Sequence, residues 1–303
     1  MSWSNPFEMP GRFRRGNLHS HSTRSDGLLA PEAVCAMYAN AGYDFLCISD
    51  HFLDQFGYPM TDATAFEREG FVTVRGAELH AGRVESGEHW HMLGIGLPAD
   101  FARPAADETG PSLAGRALDA GAFVVAAHPA WYALGEDEIR SLGPIHAIEA
   151  WNATVAGLND RSDSWYVFDR LLLRGGQYTA CATDDAHFTG ERDDALAGWV
   201  WVKTEELSAA HVVAALKAGA YYSSTGPEIE DITLQSSGRL VVRSSPASWV
   251  FVRGLGSAVV ESKGADLTEV ALDTSGLDAP WCRVTVVDRE GRRAWSNPIR
   301  RRT

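Results

Sequence analysis

The sequence predicts an α/β fold of barrel-like form followed by a small antiparallel β domain. Two observations carry the first part. About seven short apolar runs have strand length, and helix-like segments separate several of them. A third observation carries the second part: after Thr225 no helical period remains, and short alternating strands follow one another.

The elements follow in order. "RGNLHSHS" opens the set of runs, and "DFLCISDH" (Asp44 to His51), "FVTVRGAEL" (Phe71 to Leu79) and "WHMLGIGL" (Trp90 to Leu97) continue it. "AFVVAAHP" (Ala122 to Pro129), "IHAIEAWNA" (Ile145 to Ala153) and "YTACATDDAH" (Tyr178 to His187) complete it. Between them, "APEAVCAMYANAG" has Pro31 near a helix start and Gly42 just past its end. "SLAGRALDAG" and "SWYVFDRLLLRGG" also end in glycine. Strands alternating with helices predict parallel βα units and a barrel-like closure. Beyond the turn region "AGAYYSSTGPEIEDI" come "ITLQ", "RLVVRSS", "WVFVRG", "TEVALDT" and "CRVTVVDREGRRAWSN". The expected division is an N-terminal extension at 1–13, a barrel at 14–225 and a β domain at 226–303. Trp249, Phe251, Trp281 and Trp295 read as the core of that domain.

Charge and composition narrow the function classes. The chain has 303 residues, 45% of them apolar, which suffices for a buried core. Its 27 basic and 40 acidic residues give a net charge of −13, which repels a nucleic-acid backbone. The basic end "RRAWSNPIRRRT" is short. Cys35, Cys47, Cys181 and Cys282 lack CxxC spacing, which argues against a thiolate metal site or a disulfide framework. The N-terminus lacks a signal peptide's apolar stretch, and no run approaches the length of a membrane span, so the cytoplasm is the expected location and no membrane partner is expected. No GxGxxG, P-loop or GxSxG occurs, which disfavours a nucleotide cradle and a serine hydrolase.

The informative feature is where histidines and carboxylates fall. His19 and His21 stand two apart, so an extended segment sends both to one face. His51 closes the second run, Glu78 the third and His128 the fifth, while His91 opens the fourth. Asp185 and His187 close the seventh, again two apart. In α/β barrels the strand ends carry active sites. Gathering so many imidazoles and carboxylates without partners would cost several kcal/mol; a divalent cation converts that cost into binding. Mixed nitrogen and oxygen donors suit zinc, manganese or iron better than calcium.

The ordered set "NLHSHSTRSDG", "ISDH", "GAEL", "HMLGIG", "AAHP" and "TDDAH" resembles the successive motifs of the polymerase and histidinol phosphatase (PHP) family over about residues 14–225. "GRRAWSNPI" resembles the β extension of some members. The resemblance implies a distorted (β/α)7 barrel, two or three divalent ions and metal-dependent phosphoesterase activity on a small phosphorylated metabolite or nucleotide. It places His19, His21, Glu78 and Asp185 on a first ion. Glu78 bridges to a second ion on His91 and His128, and Asp26, His51 and His187 hold a third. His89 shares a strand face with His91 and could exchange roles with it, but "HMLG" favours His91.

In the mechanism so implied, clustered ions acidify a bridging water and neutralise phosphate oxygens. Asp185 accepts a hydrogen bond from the nucleophile, and His187 or His51 delivers a proton to the leaving oxygen. Candidate substrate contacts are Arg24, Arg192, Trp131, Glu149 and Asn152. Asp50 is a candidate acceptor for the His51 ring, and Asp184 faces the opposite side of its strand. His80, His146 and His211 have no supporting pattern. The alternatives are a carbamate or carboxylic ester hydrolase on the same centre, and a non-catalytic module.

Overall fold

The structure is a computed structural model that describes residues 5–191 and 194–300. It is a mixed α/β protein with two sheets. The first nine named strands are β1 (Arg12–Asn17), β2 (Phe45–Leu46), β3 (His51–Phe52), β4 (Val72–Thr73), β5 (Gly76–Leu79), β6 (Met92–Ile95), β7 (Phe123–Ala126), β8 (Ala147–Asn152) and β9 (Thr179–Thr183). They are followed by β10 (Trp199–Thr204), β11 (Tyr221–Ser224), β12 (Ile229–Leu234), β13 (Arg239–Arg253), β14 (Val259–Asp273), β15 (Trp281–Val287), β16 (Arg293–Ser296) and β17 (Ile299–Arg300). The helices are α1 (Pro31–Asn40), α2 (Gly110–Asp119), α3 (Pro129–Tyr132), α4 (Glu136–Ser141), α5 (Ala153–Asn159), α6 (Trp165–Leu173) and α7 (Ala209–Lys217). None of the helices is long and apolar enough to cross a membrane.

The barrel expected from sequence is not closed among the described residues. Strands β3, β5, β6, β7, β8 and β9 form one sheet, and β1, β2, β4, β10 and β11 join the C-terminal strands in the other. Three local causes account for the difference. Two of the expected runs break, so that 44–51 contributes to both sheets and 71–79 splits into β4 and β5. Next, β6 runs antiparallel to both β5 and β7. The segment between β5 and β6 holds no helix, and a hairpin is the connection such a segment allows. Finally, "WVWVKT" forms β10 along the open side of β1, Gly16 opposite Val200, a strand absent from the sequence reading.

One apolar core nevertheless joins the sheets. Phe45, Val200, Val202 and Tyr221 from one meet Leu93, Phe123, Val125 and Cys181 from the other, with Val212 and Leu216 of α7. The opposite face of the second sheet, with Met92, Val124, Ala126 and Ile148, packs on α2, α4 and α6. Both faces are covered, which is why these strands read as continuous apolar runs. The edges of the sheets also touch through an isolated parallel bridge between Ser20 and Ala186 and the bonds Asp185 N→His19 O and Ser49 N→Ser20 O. Those contacts draw the post-β1 segment, the β2–β3 segment and the post-β9 segment to one edge.

The C-terminal strands are all antiparallel. They continue the first sheet through β11 and β16. Their core is Val242, Val250, Val252, Val284, Val286 and Ala294. The tail aromatics depart from the reading made from sequence. Trp281 and Trp295 pack with the helix-side cluster that includes Trp165, and Trp249 and Phe251 are only half-buried.

Candidate metal centre

Glu78 is the centre of the site. It lies in β5, 1% exposed, within reach of six histidines. Its Oε2 is 2.7 Å from His51 Nδ1, 3.5 Å from His19 Nε2, 3.6 Å from His21 Nε2 and 3.8 Å from His80 Nε2. Its Oε1 accepts from His91 Nδ1 at 2.7 Å and lies 3.2 Å from His128 Nε2. Burial alone would push the Glu78 carboxyl up, but His51, His91 and His19 hold it well below the usual carboxylate range. Oε2 has no hydrogen-bond partner of acceptable geometry.

Around it the chain supplies ligand atoms from strand ends. His19 and His21 follow β1, with no exposed surface. Both imidazoles meet one carboxylate oxygen: Asp185 Oδ1 is 3.1 Å from His19 Nε2 and 2.9 Å from His21 Nε2. Asp185 follows β9 with φ +55°, and His128 follows β7 with φ +29°. Left-handed backbone at two non-glycine residues stores strain of order 1–3 kcal/mol each. At Asp26 the turn is made possible by Gly27, where a Cβ would lie 2.6 Å from the His21 carbonyl carbon. The loop therefore folds onto His21, and Asp26 stands 3.3 Å from His51 Nε2, 3.6 Å from His187 Nε2 and 3.7 Å from His21 Nδ1.

Reversal of β6 explains the placement of His91. Because β6 runs against its neighbours, the residue before its first strand position lies at the edge where their last residues lie. The register Leu79↔Met92 then carries His80 opposite His91, and their rings are 4.2 Å apart. His80, assigned nothing from sequence, is thus part of the cluster. Its Nε2 is 2.9 Å from His51 Nδ1. The signal was the histidine directly after "GAEL", legible only with the hairpin register in hand. His89 is turned away, exposed and bonded to the Gly82 carbonyl.

Four groups of ligand atoms each lie within 4.8 Å of one another: His21, Asp26, His51 and His187; His51, Glu78, His80 and His91; His19, His21 and Asp185; and His19, Glu78 and His128. They regroup the nine residues named from sequence, adding His80 and bringing His21 to the Asp26 group. The donor set fits a divalent ion. His19 Nε2, Glu78 Oε2 and His128 Nδ1 are buried without hydrogen bonds, an arrangement that is costly unless something positive completes it.

A second layer sets the tautomers. His19 Nδ1 donates to Glu149 at 2.8 Å, which leaves Nε2 with a lone pair toward the cluster. His187 Nδ1 donates to the Asp185 carbonyl at 2.8 Å, leaving its Nε2 toward Asp26. His91 Nε2 is 2.7 Å from the Tyr132 hydroxyl. Glu149 also accepts from the His128 backbone N–H at 2.7 Å, from Asn152 Nδ2 at 2.9 Å and from Thr183. Asn152 donates to Asp185 Oδ2 at 3.1 Å, and its Oδ1 caps α5 at Val155 N. Glu149 and Asn152, read from sequence as touching either substrate or the metal shell, are both buried, form no part of the cavity wall and bond His19, His128 and Asp185, which corrects the substrate half of that reading.

A cavity of about 270 Å³ opens on the cluster, lined by Asp26, His51, Glu78, His91, His128, Asp185 and His187 on one side. Trp131, Tyr132, Thr154, Val155 and Leu158 form the other. Trp131 lies on the cavity wall. Arg24 is exposed and does not line the cavity, and Arg192 lies outside the described residues. Asp50 does not hold His51. It accepts from Ser22 N, Ser22 Oγ, Ser25 Oγ and Thr61 Oγ1 at 2.5–2.8 Å and so braces the loop after His21. Asp184 bonds Tyr38 and the N–H groups of Leu196, Ala197 and Gly198 on the far side of the chain, and burial raises it to about 6.

No family model matches the chain, and no curated protein matches it. Among solved structures, it is similar to a two-domain protein from Bacteroides vulgatus named as containing a predicted PHP-like metal-dependent phosphoesterase. Identity is 16%, coverage is 99% of this chain and 100% of that one, and the TM-score is 0.54. A putative metal-dependent phosphoesterase from Bifidobacterium adolescentis matches at 15% identity, 57% and 87% coverage and a TM-score of 0.41. An amidohydrolase from Chromobacterium violaceum, with bound sulfate and no metal, matches at 18% identity, 58% and 89% coverage and a TM-score of 0.44. The first likeness extends over the whole chain and is one of fold.

Proposed function

We propose that this chain is a PHP-family hydrolase that uses two or three divalent ions, zinc, manganese or iron, to cleave a phosphoric ester of a small metabolite or nucleotide. In this reading residues 14–225 are a catalytic unit derived from a distorted (β/α)7 barrel, and 226–303 are an attached β domain. The observation that carries it is Glu78: a buried carboxylate, ringed by six imidazoles, with one oxygen left without a hydrogen bond. A structural ion pair needs one partner; a carboxylate shared among this many donors suits a bridge between cations.

When bound, such ions acidify water and screen phosphate charge. The chain's own residues divide the remaining tasks. His19, His21, Glu78, His80, His91, His128 and Asp185 hold the ions; His51, His187 and Asp26 hold a further one or, when that position is free, handle protons. His187 and His51 border the cavity, which supports the reading that one of them gives a proton to a leaving oxygen. In this reading Asp185, which borders the cavity, would also orient the attacking water. Trp131, Val155 and Leu158 give the leaving group an apolar wall. Among the described residues no lysine or arginine lines this cavity, so phosphate recognition falls to the ion cluster.

The test is phosphate release by the protein loaded in turn with zinc, manganese and iron, against phosphomonoesters, phosphodiesters and aryl esters. Phosphate release supports the reading. Hydrolysis of aryl esters alone moves the assignment to a carboxylic ester hydrolase, and failure to take up any metal overturns it.

A further inference from the structure

A second cavity, of about 390 Å³, lies between α6 and the C-terminal strands and shares no lining residue with the first. Its construction follows from strand alternation. Phe251 and Arg253 on β13, Arg283 and Thr285 on β15, and Arg293 and Trp295 on β16 are all odd-numbered positions. The registers place Phe251 opposite Thr285, Thr285 opposite Trp295, and Arg253 opposite Arg283. They therefore share one sheet face, while Val250, Val252, Val284, Val286 and Ala294 fill the core on the other.

This face gathers positive charge in a chain of net charge −13. Arg253 and Arg283 stand directly across from one another, a like-charge pairing that destabilises a sheet. Among the described residues Asp169 on α6 is their ion-pair partner, and Asp163 attracts Arg283 at longer range. Arg283, 3% exposed, donates to Asp169 through Nε and Nη2 at 2.8–3.0 Å, and Arg253 Nη1 is 3.7 Å from the same carboxylate. Asp163, the other acid in the wall, accepts from the Trp165 backbone N–H at 2.7 Å and also attracts Arg293 and Arg283. The wall thus holds three guanidiniums against two carboxylates. Aromatic rings complete it: Trp165 stacks beneath the Arg283 guanidinium at 4.8 Å and sits 5.2 Å from Trp295, Phe251 lies opposite, and Tyr166 stands 80% exposed at the rim.

We propose that this cleft binds a small planar anion, an aromatic ring carrying a carboxylate or a phosphate-like group, with the ring against Phe251 and Tyr166 and the anionic group on Arg253 and Arg293. The geometry supplies both halves of such recognition: flat apolar walls and forked donors suited to bidentate oxyanions. The site is independent of the ion cluster. Its ligand is a regulator or a second substrate portion rather than the group that is cleaved.

The experiment is calorimetric titration of the metal-loaded protein with phenylphosphonate, which cannot be hydrolysed at its P–C bond, with benzoate, and with the controls inorganic phosphate and benzamide. The same titrations are made on Arg253→Gln, Arg293→Gln and Trp131→Ala, the last altering only the first cavity. The expected result is saturable binding of phenylphosphonate or benzoate, at least threefold tighter than either control. Loss of one charge-assisted bond in either arginine variant weakens it about tenfold, with Trp131→Ala within threefold of wild type. Arg253 and Arg293 are largely exposed, so both variants should keep the wild-type circular dichroism. Absence of binding by both ring anions up to ~10 mM, controls binding as tightly as the ring anions, or less than a threefold change in both arginine variants overturns the proposal. So does binding that Trp131→Ala removes, which would assign it to the first cavity. Phosphoesterase activity is not read in this test, so its outcome is separate from that of the proposed function.

Discussion

Glu78 and Glu149 are two buried carboxylates on opposite sides of the His19 ring, and they are treated in opposite ways by the fold. Glu149, toward the core, is saturated: His19, the His128 N–H, Asn152 and Thr183 all bond it. Glu78, toward the cavity, is crowded by imidazoles and keeps an oxygen without a hydrogen bond. The core side of the cluster is finished by the protein itself; the cavity side is finished only with something added. Buried polar atoms without hydrogen bonds occur elsewhere too, but here His19 Nε2, Glu78 Oε2, His80 Nδ1 and His128 Nδ1 lie together, a concentration that marks where local consistency yields to function.

The sharpest break of this contrast is Glu78→Gln. If Glu78 is shared between ions as proposed, its replacement should lower metal content, and the loss of metal affinity should exceed the ~10–100-fold typical of an outer-layer partner. Metal content by plasma mass spectrometry checks it. Retention of the full wild-type complement would show that Glu78 is not a bridge.

Glu149→Gln should be milder in metal content and harsher on the fold. The His19 tautomer loses its anchor, so affinity falls about 10–100-fold. The His128 N–H, Asn152 and Thr183 lose a charged acceptor in a buried place, which costs about 1–3 kcal/mol. Urea unfolding of the metal-free variant measures the second effect free of the first. If Glu78→Gln destabilised the metal-free fold as much as Glu149→Gln does, the distinction between a finished and an unfinished side would fail.

Proton release sharpens the comparison further. Burial tends to lower the His51 imidazole, but Glu78 first and then Asp26 outweigh it and raise it to about 10. In the metal-free protein His51 therefore carries a proton at neutral pH, and a cation must displace it. Zinc added near pH 7.5 in weak buffer should release protons, and affinity should rise with pH by about tenfold per unit for each proton displaced. An indicator dye reads the release directly. Uptake without acidification would place the ions away from His51.

These contrasts also show what the sequence made legible. Eight of the nine residues were named from strand ends, Asp26 coming only from the family resemblance, and these are local signals, since an HxH or DxH pair needs only two-residue periodicity to share a face. Partners set by register were hidden. His80 enters through the β5–β6 hairpin, and Glu149 meets His19 only because β8 and the post-β1 segment arrive at one edge. The cleft arginines had the same opacity. "RVTVV" and "RRAWS" show alternation, but which strand faces which is decided by pairing across the sheet. The barrel expectation failed for a related reason. Runs such as "FVTVRGAEL" reveal apolar faces and not the breaks at which one run feeds two sheets.

The smallest effect concerns a histidine that belongs to neither side of the cluster. His146 is buried beside Phe123, and its Nδ1 accepts from the Val124 backbone N–H at 3.1 Å, which requires the neutral ring. Burial, with Lys217 second, lowers it from 6.5 to about 4. Between those values the unfolded chain binds a proton that the folded chain refuses, so the folded state loses stability as pH falls through 6.5 and the loss levels off near 4. Above 6.5 both states are neutral and the group contributes no slope. His146→Asn keeps an acceptor for Val124 and removes the titration. The difference in Tm between wild type and variant should therefore widen by a few degrees in the variant's favour from pH 7 to pH 5. It should do so equally with and without metal, because His146 has no part in the ligand groups. Scanning calorimetry at the two pH values checks it, and a pH-independent difference would mean that the imidazole takes up its proton in the folded chain as readily as in the unfolded one despite its burial.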